Sequence, residues 1–451
     1  MLGIAIAIRQ VPIVRTTEVR MPSRPRVNLE MNELINMTWV AICTALVFFM
    51  QAGFALVEGG LSRAKNSINV IMKIYLGTCL VGVGFWVAGY GLAFGSSQGG
   101  LIGTSLFAPE GLKAFDAVGL LYQMMFATTA VSIVSGAVAE RMRYGAYLAF
   151  ALLMSLLIYP AYAHWTWNPS GWLKTMGFVD LAGGGAVHAI GAWCSLAGLL
   201  VLGPRLGRFG RNGEVRDIPG HNLPMVALGG FILWMGWFGF NGGSIGGLES
   251  GQLGTVLLST YLGGCAGGIG ALAFMRLSGR PVLMSASVNG SLCGLASLTA
   301  GAATMSPVFA LLTGLVAGAA CTWGAEALRR LRIDDAVDAI AVHGIGGVWG
   351  LLAAGLFYQG DLFDGARVMV QLLGALATFA WAFPVAWLLF KLIDRLIGLR
   401  APTLNEQRGL DAGREVFDLT YQRSDAEPAV PTVPDLLHRE PRPGASGSVP
   451  L

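Results

Sequence analysis

Eleven apolar stretches, separated by short polar punctuation, fill most of the chain between Met37 and Ile397. They run Met37–Glu58, Ile68–Phe94, Ala117–Val138, Gly145–Tyr162, Leu181–Leu202, Leu223–Phe240, Gly254–Leu277, Val282–Leu298, Val308–Leu328, Ala339–Phe357 and Val368–Ile397. Most approach the roughly 20 residues a helix needs to cross a hydrocarbon core. The apolar positions run on without a break, which excludes the period-two alternation of a membrane barrel. So many such runs have no economical place in a soluble domain. The pattern therefore predicts an all-α polytopic membrane protein with eleven transmembrane helices. The eighth stretch is short and rich in small residues, and the last frays into charge from Lys391.

Composition agrees: 54% of residues are hydrophobic and 12% charged, against about 25% charged in an ordinary soluble domain. The 64 glycines let helix backbones approach closely. The net charge of +4 says little, but its placement says more. Thirteen lysines and arginines, from Arg63 to Arg332, fall in one set of alternate loops, against Lys113, Lys174 and Arg367 in the other. Positive loops stay in the cytoplasm. The expected location is a plasma (inner) membrane, with the start of the first span outside and the tail cytoplasmic.

Residues 1–35 are read as an N-terminal extension. Met1–Val14 is apolar, and Arg15, Arg20, Arg24 and Arg26 follow among prolines. That order reverses a signal peptide, and those arginines oppose the topology above. Met31 is an alternative start. Residues 36–397 form the membrane domain. Residues 398–451 form a polar cytoplasmic tail, expected to be disordered after about 425 because of its Pro, Ser and Gly content. The six cysteines lie in or near apolar runs at no metal-type spacing, so they read as small core residues and no cofactor is expected. Neither an enzyme nor a nucleic-acid partner is indicated.

The candidate chemistry centres on two histidines 155 residues apart, His188 in Ala186-Val-His-Ala-Ile-Gly and His343 in Ala341-Val-His-Gly-Ile-Gly. They fall in the fifth and tenth spans. Five-span halves of opposite orientation would make an inverted repeat with a site near the midplane. An ionisable side chain within a span is costly and marks function. A single histidine packs as readily as it functions, but two in matching frames point to a site. Neutral imidazole offers one donor and one acceptor, so two in line pass a small polar molecule or relay a proton. Two adjacent imidazoliums would repel in a desolvated setting, so the pair shares at most one proton.

Asp180 opens the fifth span, where it can cap backbone N–H groups and attract a cation. Asp338 precedes His343 and reads as structural, with Asp334 and Asp335 as solvated charges. The stretch Tyr162–Trp172 is rich in aromatics, which suits either an interfacial belt or a cation–π vestibule. Phe126 in the third span and Gly236–Ser244 at the end of the sixth lie toward the same outer side. His164, His221 and His438 are placed in loops or tail without a role. Glu140 and Arg141 read as a boundary pair.

These residues carry a resemblance. Phe48-Phe-Met-Gln-Ala-Gly-Phe-Ala55, Arg63-Ala-Lys-Asn66, Ser135-Gly-Ala-Val-Ala-Glu-Arg141, Asp180 through His188, Gly236 through Ser244, and Asp334-Asp335 through His343-Gly344 together resemble the ammonium transporter, methylammonium permease and Rhesus family. The ammonium transporter branch is the nearer, and the likeness covers about Met37 to Asp411. The resemblance implies that His188 and His343 are the conduction-path pair. Phe126 and Phe240 would be the stacked gate. Trp167, Ser244 and Phe126 would form an outer recruitment site for ammonium, with Asp180 as the buried acid beside it. It implies a homotrimer in the lipid bilayer, conducting ammonia after ammonium gives up its proton, with that proton relayed separately along the histidines. It also implies a PII-type regulatory partner at the cytoplasmic face. Two departures stand out. The Trp167 loop reads Trp-Asn-Pro-Ser-Gly, which makes Trp165 an alternative. The tail keeps Gly409-Leu-Asp411 without the family's following His-Gly-Glu. The rival function is a membrane ammonium sensor signalling through its tail.

Overall fold

The computed structural model describes residues 24–412 apart from 213, 249 and 250, with side chains from Met31 onward. The expectations for residues 1–23 and for the tail beyond 412 lie outside the described residues. Among the latter, nine helices are long and apolar enough to cross a membrane, from Met31–Leu61 to Gly365–Ile397. Two shorter ones, Met284–Leu298 and Ile340–Leu356, supply the eighth and tenth spans and complete the eleven. The first helix starts earlier than its apolar run, covering Arg24–Leu61. The fourth span continues past Tyr162 through the helix Tyr159–Trp167, so much of the aromatic stretch is helical.

Helix starts follow local chemistry. Asn222 accepts the Met225 N–H at 3.0 Å, and Asp364 accepts those of Ala366 and Arg367. Proline occupies the first turn of Leu223–Gly243 and of Pro307–Arg330, where no N–H is needed. The first span packs along the sixth, and the seventh, eighth and ninth pack against one another. A Cβ at Gly318 would come within 1.8 Å of the Gly267 carbonyl oxygen, so these two backbones can touch only without side chains. The eleventh span lies against the fifth and tenth.

The arginine-rich loops interlock. Glu140 accepts the Arg63 backbone N–H at 2.7 Å and its Nε at 2.6 Å. Arg205 holds Asp334 at two points, both 2.9 Å, and Arg208 reaches the same carboxylate at 3.3 Å. Arg141 donates instead to the carbonyls of Ala137, Ala139, Gly203 and Asp334. The boundary-pair reading is therefore corrected: Glu140 and Arg141 take different partners. Asp334 is buried rather than solvated, because a charge withdrawn from water persists only when paired. The retained Gly-Leu-Asp stretch of the tail docks here too. Asp411 accepts the N–H groups of Ile68 and Asn69 at 3.0 and 2.8 Å.

Candidate functional site

Each histidine sits in a π-helical turn, Gly184–Ala189 or Ile340–Ile345, at the start of its span. Such turns are rare and cluster at functional sites. A carboxylate holds each turn open-ended N–H groups in place. Asp180 accepts from Gly183, Gly184, Gly185 and Ala186 at 3.0, 2.6, 2.9 and 3.0 Å. Gly183 enters this turn at φ 100°, a conformation L side chains rarely adopt. In the second half the matching residue is Asp335, which accepts from Ile340 at 2.7 Å and Val337 at 3.3 Å. The reading of Asp335 as a solvated charge is thereby corrected; it is buried and occupied. Asp338 pairs with Arg329 at 3.5 Å. The signal was present in the chain: Asp180 and Asp335 both precede their histidine by eight residues.

The two imidazoles meet. Their Nδ1 atoms are 3.2 Å apart and their rings lie near-parallel, with centroids 5.1 Å apart. One Nδ1 donates and the other accepts, so the pair carries a single proton between these atoms. His188 is fully buried, and its Nε2 has no hydrogen-bond partner among the described residues.

A file of rings leads away from the pair. Phe240 stacks 5.6 Å from His188, Phe126 stacks 4.1 Å from Phe240, and Trp167 meets Phe126 edge-on at 5.9 Å. Phe126 and Phe240 are both buried, between Trp167 and the imidazole pair. Trp167 is fixed by its Nε1–H, which donates to the Asp180 carbonyl at 2.7 Å. Trp165 instead packs against Trp172 and Trp381, at 5.7 and 5.4 Å, away from the file. The Ser244 hydroxyl donates to the Phe240 carbonyl at 2.8 Å and lies 3.2 Å from the Tyr122 hydroxyl. Phe126, Trp167, Ser244, Phe240, His188 and His343 thus belong to one array. Asp180 stands behind it, its oxygens taken by backbone.

Two lining residues carried no role in the sequence reading. Trp237 stacks 5.3 Å from His188 and donates to Thr299 at 3.1 Å. Phe54 lies 6.2 Å from His343. Both sit inside stretches that carried the resemblance. His164 is corrected: it is buried in a helix, with Nδ1 2.9 Å from the Ala93 carbonyl and Nε2 2.7 Å from Ser97 Oγ. It ties the segment between the second and third spans to the fourth.

Among the described residues, nine membrane-length helices and two shorter apolar ones around a buried file of aromatic and imidazole rings define a polytopic membrane protein with a ring-lined core. The chain belongs to the Ammonium Transporter Family, whose model matches residues 38–415. It is 37% identical over 405 residues to ammonium transporter Amt2 of Archaeoglobus fulgidus, covering 84% of this chain and 86% of that protein. It is 34% identical over 392 residues to the ammonium transporter of Bacillus subtilis, covering 82% and 94% respectively. Among solved structures it resembles a sensor Amt protein, with TM-score 0.83 and 34% identity over 86% of this chain and 99% of that one. It also resembles Saccharomyces cerevisiae Mep2, with TM-score 0.78 and 27% identity over 86% and 93%.

Proposed function

We propose that the protein moves ammonium across a plasma (inner) membrane by stripping its charge at one face and conducting ammonia through the imidazole pair. The observation that carries this is the unbroken file Trp167, Phe126, Phe240, His188, His343. Trp167 and Phe126 offer π-faces to a cation, and the Ser244 oxygen offers a lone pair. Asp180 adds negative charge behind them. Past the Phe126–Phe240 stack no charged side chain is in the file, so a bare cation pays a large desolvation penalty. A neutral molecule with one lone pair and several N–H groups meets in His188 Nε2 a group that can donate or accept. The Nδ1–Nδ1 contact provides the separate route for a proton.

The working form is a homotrimer with the first span starting outside and the tail cytoplasmic, where a PII-type protein would dock. The membrane-sensor reading shares this core and is favoured only by the likeness to the sensor Amt protein. Uptake of labelled ammonium by proteoliposomes separates the two: transport requires flux through purified protein alone, and its absence would favour the sensor. His188→Ala and Trp167→Leu, compared with wild type, test the site. Equal uptake in all three would refute the assignment. A reporter fused after Ile397 should report the cytoplasm.

A further inference from the structure

Beyond His343, away from the aromatic end, lies a cavity of about 20 Å³, about the space of one water-sized molecule. Phe54, Val57 and Glu58 line it from the first span, with Asn289, Val337 and His343 opposite. Glu58 lies one helical turn beyond Phe54, which contacts the His343 ring; one turn is about 5.4 Å along the axis. Glu58 is buried, with 2% of its surface exposed, and its Oε2 has no hydrogen-bond partner among the described residues. A buried carboxylate with an oxygen short of a close donor is expensive. Ser135 and the Gly136 backbone are the neighbouring donors, and the Glu58 side chain lines a cavity with room for one small hydrogen-bonding molecule.

Resting on the pore reading above, we propose that this cavity is a proton-exchange site at which Glu58 re-forms ammonium. The proton that His343 passes on is taken up by the Glu58 carboxylate, giving the carboxylic acid. Ammonia arriving in the cavity then takes that proton on its nitrogen lone pair. An O–H bond breaks, an N–H bond forms, and a carboxylate and an ammonium ion remain. The surrounding groups suit a reversible exchange. Lys73 of the second span brings a positive charge toward Glu58 and Asp335 before the tenth a negative one. Tyr147 of the fourth span and Ser135 of the third add neutral hydroxyls. Asn289 is held by the Val337 carbonyl at 3.2 Å and closes the far wall. Nothing in the first span besides Glu58 brings a titratable group to this cavity.

The test uses full-length protein in liposomes holding a pH dye, with labelled ammonium outside. Wild type should take up nitrogen with little internal alkalinisation, since the proton travels too. Glu58→Gln should either slow uptake at least tenfold or raise the internal pH for each nitrogen taken up. Glu58→Asp should keep part of the wild-type behaviour. In wild type, adding ammonium should change the infrared band of a protonated carboxyl, and Glu58→Asp should shift that band; this reading survives poor folding of Glu58→Gln. Wild-type alkalinisation equal to that of passive ammonia, an unchanged Glu58→Gln, or no carboxyl band would each overturn the proposal. His343→Ala is the control. If Glu58→Gln is silent while His343→Ala impairs uptake, only this inference fails; if both are silent, the pore reading fails with it.

Discussion

Replacing His188 by leucine removes an imidazole from the middle of the ring file while keeping an apolar side chain of similar bulk. Two contacts disappear. The first is the 3.2 Å bond to His343 Nδ1, present whether the pore is empty or filled. Its loss leaves a buried nitrogen unpartnered and costs about 1–3 kcal/mol of stability. That cost falls on the empty and the filled pore alike and largely cancels from the barrier to ammonia itself, while the proton route through the pair is cut in addition. The second is the contact between a passing molecule and His188 Nε2, which no protein group occupies among the described residues. A polar molecule denied that partner in an apolar lumen pays about 1–3 kcal/mol at the top of the barrier. At about 1.4 kcal/mol per tenfold, flux should fall by about 5-fold to 150-fold.

The assay is initial uptake of labelled ammonium into proteoliposomes at equal reconstituted protein, with melting in detergent measured in parallel. The two effects should separate: a modest loss of melting temperature from the orphaned His343, and a larger loss of flux. Flux within twofold of wild type would refute the reasoning, because the one buried, unpartnered nitrogen in the file would then face nothing that matters. A fall in flux only in proportion to lost folded protein would refute it equally.

Trp167→Leu removes a π-face from the outer end of the file. A desolvated cation–π contact is worth about 2 kcal/mol, so the half-saturating ammonium concentration should rise by about 30-fold while flux at saturation changes little. Asp335→Asn weakens the acceptor for Ile340 and should lower the melting temperature by the equivalent of about 1–2 kcal/mol. Asp334→Asn removes the carboxylate that Arg205 and Arg208 share and leaves them only Glu140 and Asp217, at a cost of about 3 kcal/mol, the low end for breaking a buried pair. Burial alone would push the Asp334 carboxyl up, but hydrogen bonds from Arg205 and the charges of Arg141 and Arg205 hold it well below the usual carboxylate range. A native value held below the unfolded one gives stability that is complete above about pH 4 and lost only as pH falls through the native value. Wild-type melting should therefore owe nothing to Asp334 titration between pH 5 and 8, while the Asn variant melts lower throughout; a variant that converges on wild type at pH 5 would contradict this.

The spans were legible because a bilayer demands continuous apolar length, a demand that any run such as Gly254–Leu277 states openly. The ends of helices were less legible where polar residues continue a helix beyond the apolar part. Residues Arg24 to Asn36 do so, and so does the stretch from Ala163 to Trp167, which reads as loop by composition yet closes its backbone hydrogen bonds as helix. His164 was misplaced for the same reason. Its partners, the Ala93 carbonyl and Ser97, lie about seventy residues away, and no local pattern reveals them. The charges of the arginine-rich loops showed which side they share but not who pairs with whom, since pairing depends on how five loops converge. Phe240 and Phe126 were nameable only through the family likeness, because a phenylalanine in a gate and one in a core look alike in sequence.

Asp335 is the instructive case, because its assignment needed no structure. Reading the second half by proximity favours Asp338, three residues nearer the histidine. Reading it by symmetry favours Asp335, at the same eight-residue distance as Asp180. The physics decides between them. A π-helical turn at the start of a span leaves several N–H groups without intrahelical acceptors in a medium that offers no water. An acceptor must therefore arrive from just upstream, and its distance from the histidine is set by the turn, not by the loop before it. Asp180 and Asp335 meet that requirement, whereas Asp338 points its carboxylate toward Arg329 and Asn289. The two histidines can lie 3.2 Å apart only if both turns hold their shape. On this argument the carboxylates are as much part of the imidazole pair as the rings are, and losing either should misalign the other half's histidine.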